Sequence, residues 1–256
     1  MSRKQLIFAH SENRLGNRYE LLDCLGDGSH GSVWRAQRLS DGMIVAVKIP
    51  REQGAKSEDL AEGSRLIGQP SHPNVVGVYW MGRVPPSMEW YAIEMEYFPS
   101  VTLAHLLEGG DQGLVASYER LFRYYHLILQ GVNHLHRLGM CHGDIKPHNI
   151  LISGENLKLT DFGCSVLPED MYTRARENGG TILYSAPEIV GSAVKERNSS
   201  VFFQADIYSL GVLLYHLVTN RLPHDTLSQV ARHSPFPRPR EINHSVSPAI
   251  EEFILR

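Results

Sequence analysis

Asp144, Lys146 and Asn149 lie in the segment CHGDIKPHN, Cys141 to Asn149, and Asp161 follows Asn149 by twelve positions. The segment is too polar for a core. A carboxylate there can accept the hydrogen bond of an attacking hydroxyl and orient it. An amide and a second carboxylate supply hard oxygen ligands for a magnesium ion. A lysine two residues after the first carboxylate offsets negative charge as it develops. That combination is the chemistry of phosphoryl transfer. Asp144 is the candidate for orienting a nucleophile, Lys146 the candidate cation, and Asn149 and Asp161 the candidate metal ligands. The tripeptide Asp161-Phe162-Gly163 is common by itself; its place at the end of the strand pattern NLKL, twelve residues on, makes it specific. His142 is expected to pack beneath the loop rather than titrate in it.

A phosphoryl donor needs a cradle, and LGDGSHGSV offers one through Leu25, Gly26, Asp27, Gly28, Ser29, His30, Gly31 and Val33. The glycine spacing alone would fit any tight hairpin. A dinucleotide fold would need it between a strand and a helix, whereas here it lies between two strand patterns. Glycines let backbone N–H groups approach phosphate oxygens with no Cβ in the way. Lys48 ends the apolar run VAVK seventeen residues after Gly31, where the next strand would pass beneath the hairpin. A lysine there can pair with phosphates if a carboxylate holds it; Glu62 is the first candidate and Glu58, one turn earlier, the second.

The elements that must position these groups are legible in outline. From Tyr19 to about Tyr97, Val- and Ile-rich runs separated by Gly turns predict antiparallel hairpins, with a turn at Asp41-Gly42 and one helix over 57–67. NVVGVYWMG and EWYAIEMEY are expected as two further strands. After Pro99 the period becomes helical: Leu121, Tyr125, Ile128, Val132 and Leu135 recur at steps of four and three, one buried stripe. IYSLGVLLYHLV predicts a buried helix, with Asp206 as an N-cap at its start that could also hold backbone amides of the 141–149 loop. Strands first and helices later predict an α+β fold with two lobes. Residues 1–17 are expected to form a loose arm, Ser234 to Ser245 a Pro-rich surface loop, and SPAIEEFILR the start of a helix.

Composition narrows the partners. The chain has 256 residues, 42% hydrophobic and 21% charged, with a formal net charge of −3, so no basic field argues for nucleic acid. No apolar run is long enough to span a bilayer. Three cysteines, Cys24, Cys141 and Cys164, suit neither a disulfide framework nor a zinc site, and a reducing cytoplasm is the expected setting. His134, His136, His142 and His148 are close in sequence, but their spacing matches no helix-borne ligand pair.

In order, GDGSHGSV, AVK, Glu62, HGDIKPHN, DFG, APE and DIYSLG resemble the eukaryotic-like protein kinases over about Tyr19 to Arg256. The resemblance implies a bilobal kinase domain over 18–256. Its small antiparallel β lobe with one helix would span 18–97, and its larger, mainly helical lobe 98–256, without the last helices of relatives. It implies ATP and Mg2+ as cofactors and protein hydroxyls as acceptors, and DIKPHN is similar to the serine/threonine branch. By the same resemblance Met95 is the gatekeeper and Glu96 to Phe98 the adenine hinge. Val33, Ala46 and Leu151 would sandwich the ring, Thr181 would touch Asp144 and Lys146, and Leu66, His142 and Phe162 would stack together. Two alternatives stand beside it. A small-molecule kinase is suggested by His-Gly-Asp, though such enzymes lack an APE segment. A weak kinase or pseudokinase acting as a binding module would be expected to lack one of Lys48, Asp144, Asn149 and Asp161.

Two departures carry further expectations. Gly143 stands where many relatives have an Arg that clamps a phosphorylated activation loop. A phosphate at Thr173 or Ser165 would lack that partner, so activity is expected not to require one. By the same resemblance, the Arg that pairs with Glu188 in relatives lies in a later segment, so a further C-terminal segment, a partner chain or an unusual local packing is expected over that surface.

Overall fold

A computed structural model describes residues 13–28, 31–50, 66–109, 117–161, 183–190 and 199–256. The chain divides into two compact units, Met1–Ser71 with Val76–Pro99, and His72–Val75 with Ser100–Arg256.

The first unit is built on a six-stranded antiparallel sheet of order β1-β2-β3-β4-β6-β5: β1 Arg14–Leu15, β2 Tyr19–Gly28, β3 Gly31–Arg38, β4 Ile44–Pro50, β5 Val78–Arg83 and β6 Tyr91–Glu96. Successive residues of a strand face opposite sides, so β4 splits cleanly: Val45, Val47 and Ile49 go to the core, and Ala46 and Lys48 go to the other face. The core side collects Leu15, Tyr19, Leu21, Trp34, Ala36, Val84 and Ala92, with Trp80 and Trp90 against it. Strand β1 starts inside the segment expected to be a loose arm; its Leu15 is buried and pairs with Tyr19. The core side also contains a carboxylate. Glu94 is fully buried and accepts from Arg38 Nη1 at 2.6 Å, from the Tyr19 hydroxyl at 2.6 Å and from Arg18 Nη2 at 3.3 Å. Burial and the Glu94 carboxylate push the Tyr19 phenol up. The helix expected over 57–67 lies almost wholly outside the described residues.

The second unit is mainly helical. A small sheet of β7 Val101–Thr102, β8 Ile150–Ser153 and β9 Asn156–Leu159 packs with helix α2, Tyr118–Arg137, which follows the short α1, Leu103–Glu108. All five residues of the expected α2 stripe are buried. Ser117 caps the helix by accepting from Arg120 N at 3.3 Å, and the Tyr124 hydroxyl donates to the Gly154 carbonyl of the β8–β9 turn at 2.6 Å. The run expected as one strand from Asn74 divides. His72–Val75 belongs to this unit, where Asn74 Nδ2 donates to the Leu157 carbonyl, Leu159 N donates to the Asn74 carbonyl, and Val75 bridges to Leu159. Only from Val78 does the chain join the first sheet.

Helix α3, Pro187–Val190, precedes the long apolar helix α4, Ser199–Thr219. Beyond it come α5 Leu227–Ala231, α6 Pro239–Ile242 and α7 Pro248–Leu255. The Pro-rich segment therefore contains α6, because Pro239 sits in its first turn, where a proline costs no hydrogen bond. Ser247 caps α7, and Glu251 accepts from Arg240 N to tie α7 to α6.

Candidate active site

Four candidate groups lie on one short stretch of the second unit, held by strands β8 and β9. Asn149 ends a single 3-10 turn, Pro147–Asn149, that runs directly into β8. Its side-chain amide donates to both the backbone carbonyl and Oδ2 of Asp144, each at 2.8 Å. Both amide hydrogens are thereby spent on Asp144, and Oδ1 is the end able to ligate a cation. Lys146 Nζ is 2.7 Å from the same Oδ2. Asp144 N donates to His142 Nδ1 at 3.3 Å, with His142 fully buried beneath the loop. Thr160 N donates to the Asn149 carbonyl at 3.0 Å, which fixes the residue before Asp161 to the metal-ligand candidate on the loop. Asp161 has φ +64°, a left-handed backbone rare for a residue with a Cβ; such strain concentrates at functional sites.

The loop is fastened from below by Asp206, which is 1% exposed. Its Oδ2 accepts from His142 N at 2.7 Å and its Oδ1 from Gly143 N at 2.8 Å. The expected hold on the loop amides is present, but the expected N-cap is not. Helix α4 begins at Ser199, so Asp206 lies inside it, and its oxygens are turned to another segment rather than to the helix's own amides. Sequence reasoning missed His136, whose Nε2 donates to Asp206 Oδ2 at 2.8 Å. Its place in the last turn of α2, before the loop, was the only available signal. Gly143 has φ +76°, a conformation glycine adopts without strain. Glycine at this position therefore has a conformational reason of its own.

On the first unit the register gathers the nucleotide-face candidates. Directly opposed residues of an antiparallel pair share a face. Lys48 opposes Val33 and Ile93, and Ala46 opposes Met95, so Val33, Ala46, Lys48 and Met95 share the face opposite the core. The hairpin closes with Asp27 opposite Ser32 and Gly28 opposite Gly31. A Cβ on Gly31, at φ +141°, would stand 2.2 Å from the Ile49 carbonyl oxygen, so that close approach requires glycine. Leu25 is exposed at the edge and Gly26 opposes Val33. Glu96 closes β6 by exchanging bonds with Gly77: its N donates to the Gly77 carbonyl and its Oε2 accepts from Gly77 N; Phe98 follows two residues on. Leu151, on β8 of the second unit, pairs with Thr102 and Lys158. Ser29, His30, Glu62 and Thr181, with Phe162, Ser165 and Thr173, lie outside the described residues.

The donor set suits a hard cation. Among the described residues no three His, Cys, Asp or Glu side chains gather as a metal cage. Magnesium needs none, since it is held by one or two protein oxygens plus phosphates and water.

The protein kinase domain model matches residues 19–254. The chain is 31% identical over 254 residues to the serine/threonine-protein kinase PrkC of Bacillus subtilis, covering 95% of this chain and 37% of PrkC. It is 34% identical over 215 residues to the CBL-interacting serine/threonine-protein kinase 8 of Arabidopsis thaliana, covering 82% and 46%. With the human NUAK family SNF1-like kinase 1 the identity is 32% over 222 residues, covering 84% and 32%. The chain thus spans less than half the length of these relatives.

Proposed function

The chain belongs to the protein kinase family, and from that premise we propose that it transfers the γ-phosphoryl group of ATP to serine or threonine hydroxyls of proteins, itself included. The observation that carries this reading is the convergence of Lys146 Nζ and Asn149 Nδ2 on Asp144 Oδ2. Those two contacts aim one carboxylate and leave its other oxygen to accept the hydrogen bond of a substrate hydroxyl. Lys146, beside it, offsets charge on the phosphoryl oxygens as the bond to the nucleophile forms. Asn149 Oδ1 and the Asp161 carboxylate would hold Mg2+, which draws charge from the phosphates when bound. Lys48 and the glycine hairpin would hold the phosphates, and the face bearing Val33, Ala46 and Met95 would hold the adenine. The proposed setting is the cytoplasm; no helix among the described residues is long and apolar enough to cross a membrane.

The test is transfer from labelled Mg-ATP to the protein itself and to dephosphorylated casein, compared with Asp144→Asn. Transfer to protein that falls on the order of 10²–10³-fold in the variant, with ATP binding retained, supports the reading. Label on metabolites alone, or ATP binding without any transfer, overturns it.

A further inference from the structure

We infer that the cleft between helix α2 and the segment His72–Val75 binds a small anionic molecule, through a carboxylate or phosphate group gripped by Arg137. The site lies in the second unit alone and uses none of the residues proposed for phosphoryl transfer.

Helix α2 has two faces. Leu121, Tyr125, Ile128, Val132 and Leu135 are buried on one. Gln130, Asn133, His134 and Arg137 follow at steps of three, one and three, which brings them together on the polar side, where they line the cleft. His72 closes it from across. Its segment comes close to α2 because residue 131 is glycine: a Cβ there would stand 2.8 Å from the Asn74 carbonyl oxygen. The His72 ring stacks on His134, with centroids 4.6 Å apart and planes inclined by 20°. Pro73 and Leu138 add apolar surface. The cleft has a volume of about 680 Å3, within the range of about 300–1,000 Å3 that small-molecule sites occupy.

The lining is rich in donors. Asn74 N donates to His72 Nδ1 at 3.2 Å. That bond needs a bare Nδ1, so the ring proton sits on Nε2 and makes it a donor. Burial, then His134 of α2 and Lys158 of β9, hold the His72 imidazole below its usual pKa, so it is neutral at pH 7. Gln130 Nε2 donates one hydrogen to His126 Nε2 at 3.0 Å and keeps a second. Asn133 brings two more. Arg137 is exposed, and among the described residues its guanidinium makes no hydrogen bond or ion pair. Its charge suits the negative end of α2, but that role engages none of its five donors. No Asp or Glu among the described residues lines the cleft.

This donor set selects the ligand. A neutral molecule would leave the guanidinium unpaired. A carboxylate or phosphate takes two parallel N–H bonds from it, and the amides and His72 Nε2 can serve further oxygens. A metal ion does not fit: near-parallel stacked rings set their nitrogens side by side rather than converging, and Arg137 would repel it.

The experiment titrates citrate, pyrophosphate and uncharged ribose into the full chain without Mg2+. NMR follows the ring signals of His72 and His134, and calorimetry gives Kd. The ring signals report on the cleft itself, so pyrophosphate held at the proposed nucleotide face does not count. Saturable shifts with at least one anion, and none with ribose, are expected. Citrate alone would assign a carboxylate, pyrophosphate alone a phosphate, and both would mean that either oxyanion suffices. Arg137→Gln should raise Kd about tenfold or more. Arg137→Lys keeps the charge but loses the fork, and should weaken binding severalfold. Arg123→Gln removes a charge from the same helix outside the cleft, where Arg123 pairs with Glu155, and should leave Kd unchanged. Ring signals that stay still at millimolar citrate and pyrophosphate would overturn the inference. Equal weakening in Arg137→Gln and Arg123→Gln would overturn it too, as diffuse attraction without a site.

Discussion

Glu94 in the first unit and Asp206 in the second are both carboxylates buried to within 1% of completely, and they are satisfied in opposite ways. Among the described residues every partner of the Glu94 carboxylate is a side chain: Arg38, Arg18 and Tyr19. Among the described residues Asp206 has three partners: two are backbone amides, those of His142 and Gly143, and one, His136, is a side chain. Side-chain partners tie strands together but leave the main chain free to settle by packing. Backbone partners dictate the path of the main chain itself. The first arrangement holds a sheet whose proposed nucleotide face is already set by strand register. The second shapes a loop in which no ladder fixes where Asp144 points. The difference predicts that one carboxylate governs stability and the other governs rate.

Glu94→Ala should give the largest effect. Removing one partner of a buried ionic cluster typically costs about 3–5 kcal/mol, because the remaining charges lose their compensation. Arg18 and Arg38 are 30% and 20% exposed and recover some hydration, so the low end, about 3 kcal/mol, is expected here. Against a domain stability of about 5–15 kcal/mol that is a large fraction, to be read from urea unfolding. Transfer per folded molecule, measured well below the melting point, should stay unchanged. A fall in kcat of the folded fraction would break the comparison from this side.

Asp206→Asn comes next and should act the other way. The amide keeps the shape but turns one acceptor into a donor that faces a backbone N–H. The loop must shift, and a displacement of about 1 Å at a reacting group costs on the order of 10² in rate. Steady-state kinetics should show kcat falling with KM for ATP unchanged. A variant that loses stability yet keeps its kcat would place Asp206 with Glu94 as a purely structural group.

The same contrast explains what could be read from the sequence. The α2 stripe and the β hairpins announce themselves because they are periodic, and Asp144, Lys146 and Asn149 because one loop carries them all. The partners of the buried carboxylates had no such signal. Arg38 lies 56 residues from Glu94, and His142 and Gly143 lie 64 and 63 from Asp206. A hydrogen bond across that separation leaves no pattern in composition or spacing. The sequence marks Asp206 as a possible anchor for the loop, but a polar residue near the onset of an apolar run also reads as a cap, and here the helix starts seven residues earlier. Strand β1 has only two residues, too few for alternation, and α6 is masked by prolines that read as breakers. The chemistry at Gly143 could be read as a missing arginine; its left-handed backbone could not.

Gly143→Ala is the smallest and most discriminating change. A left-handed backbone costs a residue with a Cβ about 1–2 kcal/mol, so the loop must either carry that strain or rotate toward negative φ. Rotation would swing the Gly143 amide off Asp206 Oδ1 and disturb the residue directly before Asp144. If strain is carried, urea unfolding shows a loss of about 1 kcal/mol and kcat is nearly unchanged. If the loop rotates, stability is nearly kept and kcat falls severalfold. The backbone-held loop predicts the first outcome, because two amide bonds to one buried carboxylate resist rotation together. The double variant with Asp206→Asn sharpens this. Once the carboxylate is weakened the loop is free to relieve its strain, so Ala at 143 should cost less stability there than alone. Additive effects would mean that Asp206 does not control the backbone at Gly143, and the contrast with Glu94 would then rest on distance rather than on the kind of partner.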